Sequence, residues 1–167
     1  MYQHILVAID GSETSACALT EALKMAREQG AELTPLYVID VTPLMYAGPA
    51  YDPSIARNAF IQEGTRVIAD ATEQMKREDV KGSPIMREVD PAGDDIPNQV
   101  MRAAEEFNAD LIVMGTHGRR GWRRLVLGSV AEQVLRISSR PVLLVPLGAA
   151  TQKAPPAVIA PAVVGTA

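Results

Sequence analysis

The chain has a single cysteine, Cys17, and few aromatic residues, and both shortages limit what the protein can be. One cysteine cannot form an intrachain disulfide, so we expect a protein of a reducing compartment. Aromatic residues are only 4% of the 167 residues, so the core must be built from aliphatic side chains. With two histidines and one cysteine, a dedicated transition-metal site is not expected.

Long apolar runs and an excess of basic residues are also missing. No run reaches the roughly 18 apolar residues that span a bilayer, so we expect no membrane contact. The first residues, MYQHILVAIDGSE, lack a cationic segment before a long apolar one. This favours a cytoplasmic protein without a signal peptide. The net charge of −4 argues against nucleic-acid binding, for which a basic face is typical.

What the sequence does contain is a regular alternation of two apolar patterns. Short apolar runs predict strands at residues 5–9, 33–39, 85–89, 111–114 and 142–145. Apolar residues at helical spacing predict helices at residues 16–26, 53–77, 96–107 and from about 129 onward. Ser12 and Gly30 are the expected caps of the first helix. The alternation predicts an α/β fold: a doubly wound, five-stranded parallel sheet of order 3-2-1-4-5 with helices on both faces.

The composition changes at residue 148. Residues 1–147 form the predicted domain, and residues 148–167 are rich in Ala, Pro and Val. Prolines at 155, 156 and 161 argue against a helix there. We expect a flexible tail, with a partner-binding or strand-adding segment as the alternative.

The predicted sheet also indicates where a ligand would bind. In an open parallel sheet, ligands lie at the carboxyl ends of the strands where the strand order reverses. In this sheet that point lies between the first and fourth strands. The loops that follow these strands begin at Asp10 and Gly115, and both are short, polar and glycine-bearing.

The second of these loops, GTHGRRGWRRLVLGS, has the features of an anion site. Its glycines would let backbone N–H groups approach a phosphate, and Gly128-Ser129 opens a helix whose N-terminus favours negative charge. Four arginines lie between Gly118 and Gly128, at positions 119, 120, 123 and 124. We expect at least one, with Arg119 the candidate, to contact phosphate; a solvated surface is the alternative.

The spacing of this loop resembles the universal stress protein family, whose ATP-binding members carry G-x2-G-x9-G-[ST]. Gly115, Gly118, Gly128 and Ser129 match that pattern. The likeness extends over residues 1–147, with residues 109–121, 127–135 and 141–146 matching most clearly. Two departures are Val126, where leucine is usual, and residues 90–97, a longer and more acidic turn than the family's Gly-x-Pro type. The sequence is therefore similar to the ATP-binding subclass.

The resemblance implies roles for particular residues in binding ATP, or ADP or AMP. Asp10 would contact ribose or, indirectly, a phosphate-bound Mg²⁺, with Ala8 and Ile9 beside it. Val38 and Ile39 would meet the adenine through apolar contacts and backbone hydrogen bonds, above a floor that includes Met114. The residues that would hold ribose and phosphates are Gly115, His117, Gly118, Gly128, Ser129 and Val130. Alternatively, Asp10 is a turn residue that accepts local N–H bonds.

The sequence lacks the usual means of cleaving a nucleotide. It contains no G-x4-G-K-[ST] loop and no evident residue to orient an attacking water. We therefore expect a stress-response protein that binds nucleotide as a regulatory or protective module, with hydrolysis slow or absent. The alternatives are a weak metal-dependent hydrolase using Asp10 and a protein-interaction scaffold that binds no nucleotide. A phosphoacceptor domain is disfavoured, because the residues flanking the fifth strand include no lysine.

The fifth strand is expected to lie at the edge of the sheet. Its residues, Val142, Leu143, Leu144 and Val145, carry no charge that would discourage pairing with another strand. We expect a homodimer joined across this edge, which the family resemblance also implies.

Overall fold

The computed structural model describes residues 1–41, 53–118 and 127–147, and within them strands and helices alternate as expected. In chain order the elements are β1 (His4–Ala8), α1 (Glu13–Gln29), β2 (Glu32–Ile39), α2 (Pro53–Arg77), β3 (Ile85–Glu88), α3 (Ile96–Glu106), β4 (Leu111–Gly115), α4 (Ser129–Ile137) and β5 (Val142–Val145). The predicted elements are all present, with small shifts at their ends. The proposed tail, residues 148–167, lies outside the described residues.

The strands form one parallel sheet in the order β3-β2-β1-β4-β5, which confirms the predicted fold class and strand order. β1 lies at the centre: Val7 is opposite Pro35 of β2 on one side and opposite Val113 of β4 on the other. The strand order therefore reverses between β1 and β4. The crevice at the carboxyl ends of these two strands is where a doubly wound sheet binds ligands.

Each face of the sheet is covered by one pair of helices. Ile5 and Val7 of β1 pack in a core with residues of α1 and α2, while Leu6 packs in a second core with residues of α3 and α4. Successive side chains of a strand point to opposite faces, so β1 supplies both cores. This explains why the strands read as continuous apolar runs rather than alternating ones.

The start of α1 is fixed directly beside the end of β1. Ser12 caps the helix, its hydroxyl accepting from the N–H of Ser15 at 3.2 Å. The helix ends at Gly30, whose φ of 67° suits a residue without a Cβ. Both predicted caps are confirmed. Because the cap lies two residues after Asp10, the first turn of α1 is held at the carboxyl edge of the sheet.

Helix α2 approaches β2 and β3 closely at Gly64. A β-carbon at this position would lie 2.7 Å from Sδ of Met86 and 2.8 Å from Cδ1 of Tyr37, so a larger residue would push the helix away. Arg57 also ties α2 to β3, with Nε and Nη2 each 2.7 Å from an oxygen of Glu88. These hydrogen bonds lower the pKa of Glu88 from its ordinary value. Together these contacts set where Phe60, one turn before Gly64, lies.

The described helices include none that combines the length and the apolar character needed to cross a bilayer.

Candidate functional site

A cavity of about 360 Å³ lies at the carboxyl ends of β1 and β4, where the strand order reverses. Ile9 and Asp10 continue from β1 into its wall, and the N–H of Ile9 bonds the carbonyl of Leu36 at 2.9 Å. His117 and Gly118 continue from β4. The cavity is therefore in the place that the topology alone predicts for a ligand.

Most of the candidate residues named from the sequence meet in this cavity. Those that line it are Ala8, Ile9, Asp10, Val38, Met114, Gly115, His117, Gly118, Gly128, Ser129 and Val130. Ile39 does not line it: it is 3% exposed and packs in the core beneath α1 and α2. Arg119 and the other loop arginines fall in residues 119–126, outside the described part of the chain.

The cavity also contains residues that the sequence did not indicate. They are Ser15, Leu36, Tyr37, Asp40, Phe60, Ile96, Val100 and Ala131. They come from several elements far apart in the chain, and the shared motif spacing includes none of them. One pattern could have found Leu36, which lies two residues before Val38 and therefore on the same side of β2.

One carboxylate oxygen of Asp10 accepts a hydrogen bond within the turn, and the other lies beside the glycine loop. Oδ1 accepts from the N–H of Ser12 at 2.9 Å, as expected of a turn aspartate. A β-carbon on Gly118 would lie 2.9 Å from Oδ2, so the loop passes directly over this oxygen. The turn role and a position facing a ligand are therefore compatible in the same side chain.

The three glycines of the loop that the structure describes, Gly115, Gly118 and Gly128, are tightly surrounded, and each faces a different neighbour. A β-carbon on Gly115 would lie 3.0 Å from the carbonyl carbon and the Cβ of Thr14 in α1. On Gly128 it would lie 3.2 Å from the carbonyl oxygen of Thr116. Gly115 therefore serves the packing of α1 onto β4. At Gly118 the close atom is the carboxylate oxygen at the end of the Asp10 side chain, which can move more easily than the backbone atoms beside Gly115 and Gly128.

Hydrogen bonds hold both ends of the glycine loop. Thr14 donates from its hydroxyl to the carbonyl of His117, and Thr116 donates its N–H to the carbonyl of Val145 at 3.1 Å. Gly128 donates its N–H to the carbonyl of Thr116 at 2.9 Å. The start of α4 is thereby placed against the end of β4. Gly128 is the cap residue and has no side chain to satisfy the first N–H groups of α4.

His117 has one ring nitrogen in a hydrogen bond and one without a partner. Nδ1 lies 3.0 Å from the hydroxyl oxygen of Thr116. Nε2 is buried and has no hydrogen-bond partner within the described part of the chain. Buried polar side-chain atoms are nearly always satisfied, so this nitrogen needs an explanation.

A larger cleft of about 530 Å³ lies between α1 and α2, away from the strand ends. Its walls carry charges of both signs, and Arg27 pairs with Glu78 across it. It has no glycine loop, and among the described residues no group of three or more His, Cys, Asp or Glu could hold a metal ion. We therefore place the candidate site at the strand ends.

Comparison with known proteins agrees with this geometry. The sequence model described as "Universal stress protein family" matches residues 1–146. The universal stress protein YxiE of Bacillus subtilis is 36% identical over 152 residues, which cover 87% of this chain and 99% of that protein.

Solved structures show the same likeness. A universal stress protein family member from Burkholderia pseudomallei is 45% identical with a TM-score of 0.73, covering 87% of this chain and 96% of that one. A universal stress protein in complex with cAMP is 27% identical with a TM-score of 0.59, covering 87% of this chain and 98% of that one. The chain belongs to the universal stress protein family.

Proposed function

We propose that the cavity binds an adenine nucleotide, ATP or its products ADP and AMP, and that the protein acts as a regulatory or protective module in a stress response. The observation that carries the proposal is that one cavity, at the ligand-binding edge of the sheet, is lined both by apolar side chains of β2, α2 and α3 and by the glycine loop with the start of α4. We call these two sets of residues the apolar half and the polar half. The cAMP complex of a related structure supports the choice of an adenine nucleotide.

The apolar half suits a base. It is formed by side chains of β2, α2 and α3, among them Val38, Phe60 and Val100. An adenine ring is a flat, largely apolar group with polar edges, and pockets for such groups combine apolar walls with a few polar contacts. Val38 would supply these contacts through its backbone N–H and C=O groups. The carbonyl of Ile39 instead accepts from the N–H of Val89 at 2.8 Å within the sheet.

The polar half suits phosphates. Gly118, Gly128 and Ser129 line it, and the N-terminus of α4 adds unpaired N–H groups and a favourable dipole. A Mg²⁺ ion would enter only with the phosphates, held near Asp10. Such a role fits a carboxylate oxygen that lies under the glycine loop.

Cleavage of the nucleotide is expected to be slow or absent. The described residues of the cavity include the carboxylates Asp10 and Asp40 but no lysine to neutralise charge on a transferring phosphoryl group. The alternative is a weak hydrolase that uses Asp10 and a divalent metal. Phosphate release from ATP and Mg²⁺ that disappears in Asp10→Ala would favour that alternative.

We also propose that the protein is a cytoplasmic homodimer joined across β5. This strand is last in the sheet order, and Val142, Leu143 and Leu144 are only half-buried. An uncharged apolar edge favours pairing with a second copy. Light scattering should give the mass of a dimer at micromolar concentration, and a monomer would contradict the proposal.

The binding proposal is tested first by asking what copurifies with the protein. We expect denaturation of freshly purified protein to release an adenine nucleotide, identified by chromatography and mass. After its removal, calorimetric titration should show ATP binding again. A protein that neither carries nor rebinds nucleotide would leave the scaffold alternative in its place.

A further inference from the structure

The ring of His117, which carries the unpartnered Nε2, is held at its other nitrogen. Thr116 bonds Nδ1 at 3.0 Å and is itself anchored to β5 through its N–H. The Thr14 hydroxyl separately holds the main-chain carbonyl of His117. Turning the ring to find another partner for Nε2 would therefore break the contact between Nδ1 and Thr116.

The hydroxyl of Thr116 also bears on which ring nitrogen carries the proton. Its O–H can donate to Nδ1, and in the neutral ring Nε2 then carries the hydrogen. In that tautomer the buried Nε2 is a donor without an acceptor. An acceptor placed beside it by a ligand would remove the cost of burying the N–H.

The surroundings of the ring favour an oxyanion as that acceptor. His117 lines the cavity beside Gly118, and Gly128 and Ser129 at the start of α4 line the same cavity. Backbone N–H groups, a helix N-terminus and an imidazole N–H are all donors, and together they match a group with several negative oxygens. A ribose hydroxyl needs less of this positive character.

We propose that His117 donates a hydrogen bond from Nε2 to a phosphate oxygen of the bound nucleotide, with Thr116 holding the ring in the Nε2–H tautomer. This inference rests on the proposed function of the cavity. It assigns to the His117 side chain a direct part in phosphate recognition, beyond the backbone of the glycine loop.

The tautomer can be measured in the protein without ligand. The chain has two histidines, so His4→Gln leaves the ring of His117 as the only imidazole in a ¹⁵N NMR spectrum. At a pH where the ring is neutral, we expect the shifts of the Nε2–H tautomer, with the Nε2 resonance moving on addition of ATP and not of adenosine. A neutral Nδ1–H tautomer, or an Nε2 resonance that ATP leaves in place, would overturn the inference.

Affinities measured for ATP, ADP, AMP and adenosine separate phosphate from ribose as the partner. His117→Phe keeps a ring but has no hydrogen-bond donor. We expect it to lower the affinities for ATP, ADP and AMP by about tenfold to a hundredfold. Adenosine should bind as in the wild type. His117→Gln, whose amide can donate, should recover part of the loss.

The other histidine provides a matched control. His4 lies at the opposite end of β1, 3.8 Å from Glu32, so His4→Phe should leave all four affinities unchanged. If His117→Phe lowers the affinity for adenosine as much as that for ATP, or lowers neither affinity, the phosphate assignment is wrong while the nucleotide proposal stands. If the wild type binds no nucleotide, both proposals fail together.

Discussion

The two halves of the cavity are built in different ways. The polar half is made of residues that follow β1 and β4 and of the start of α4, where backbone groups and glycines set the geometry. The apolar half is made of single side chains from β2, α2 and α3, each placed by a separate packing contact. Substitutions in the polar half should therefore act on phosphate binding, and those in the apolar half should act on the base and on stability together.

The largest effect is expected where the glycine loop meets the core. Gly115→Val would place a branched side chain against the backbone of Thr14, within 3.0–3.1 Å of its atoms. Overpacking of this kind costs about 3 kcal/mol of unfolding free energy, measured by urea denaturation. Gly118→Val is the comparison, because it meets only the movable carboxylate of Asp10 and should leave stability nearly unchanged. Equal losses of stability in both variants would contradict the separate roles given to these glycines.

In the apolar half, Phe60→Ala should lower the affinities for ATP and for adenosine by the same factor. The ring lines the cavity at the base end and would pack against adenine, so its removal costs about tenfold in affinity whatever the number of phosphates. Calorimetry with both ligands measures this. A lower affinity of Phe60→Ala for ATP with an unchanged affinity for adenosine would contradict a role for this ring in binding the base.

Thr14 fastens the glycine loop to α1, and loss of its hydroxyl should have a moderate effect. Thr14→Val keeps the shape of the side chain but removes the hydroxyl that donates to the carbonyl of His117. We expect a loss of about 1 kcal/mol in the free energy of unfolding and a weaker affinity for ATP. Thr14→Ser keeps the hydroxyl and should behave like the wild type. Weaker binding by Thr14→Ser than by Thr14→Val would show that the hydroxyl does not hold the loop.

The smallest effect is expected at the Arg57–Glu88 pair, which fastens the helix carrying Phe60. The pKa of Glu88 is lowered in the folded protein, so its contribution to stability is present above the unfolded pKa of about 4.3 and is lost as the pH falls through the folded value. Thermal melting should show the wild type slightly more stable than Glu88→Gln at pH 7, with the difference shrinking as the pH falls below the unfolded pKa of the carboxyl group. The pair is exposed, so the difference should also shrink in high salt.

A control for this last comparison is Glu105→Gln, which removes a carboxylate at the end of α3. The difference in melting temperature between Glu105→Gln and the wild type should not change with pH in the way expected for Glu88→Gln. The same pH-dependent difference in both variants would mean that overall charge, and not the Arg57 contact, is responsible.

The sequence predicted the polar half far better than the apolar half, and the reason is physical. Loop glycines, a helix start and a strand end lie within a short stretch, so their spacing is readable as a motif. Tyr37, Phe60 and Val100 reach the cavity only through the helix packing set by contacts such as that of Gly64 with Tyr37. No local sequence pattern indicates such contacts between distant elements.

Ile39 shows what the local sequence could not indicate. Its apolar side chain was expected beside the adenine, but it packs in the core beneath α1 and α2. Ile39 follows Val38 directly, so its side chain lies on the opposite face of β2 from that of Val38, which lines the cavity. The apolar run of this strand did not indicate which face meets the cavity.

The most direct test of the central claim is a calorimetric titration of nucleotide-free protein with ATP, repeated on Gly118→Val. Ala92→Val, in an exposed turn, controls for an added valine side chain. We predict saturable binding by the wild type and Ala92→Val, with binding lost in Gly118→Val although its fold is intact. No heat from the wild type, or equal binding by Gly118→Val, would contradict this prediction.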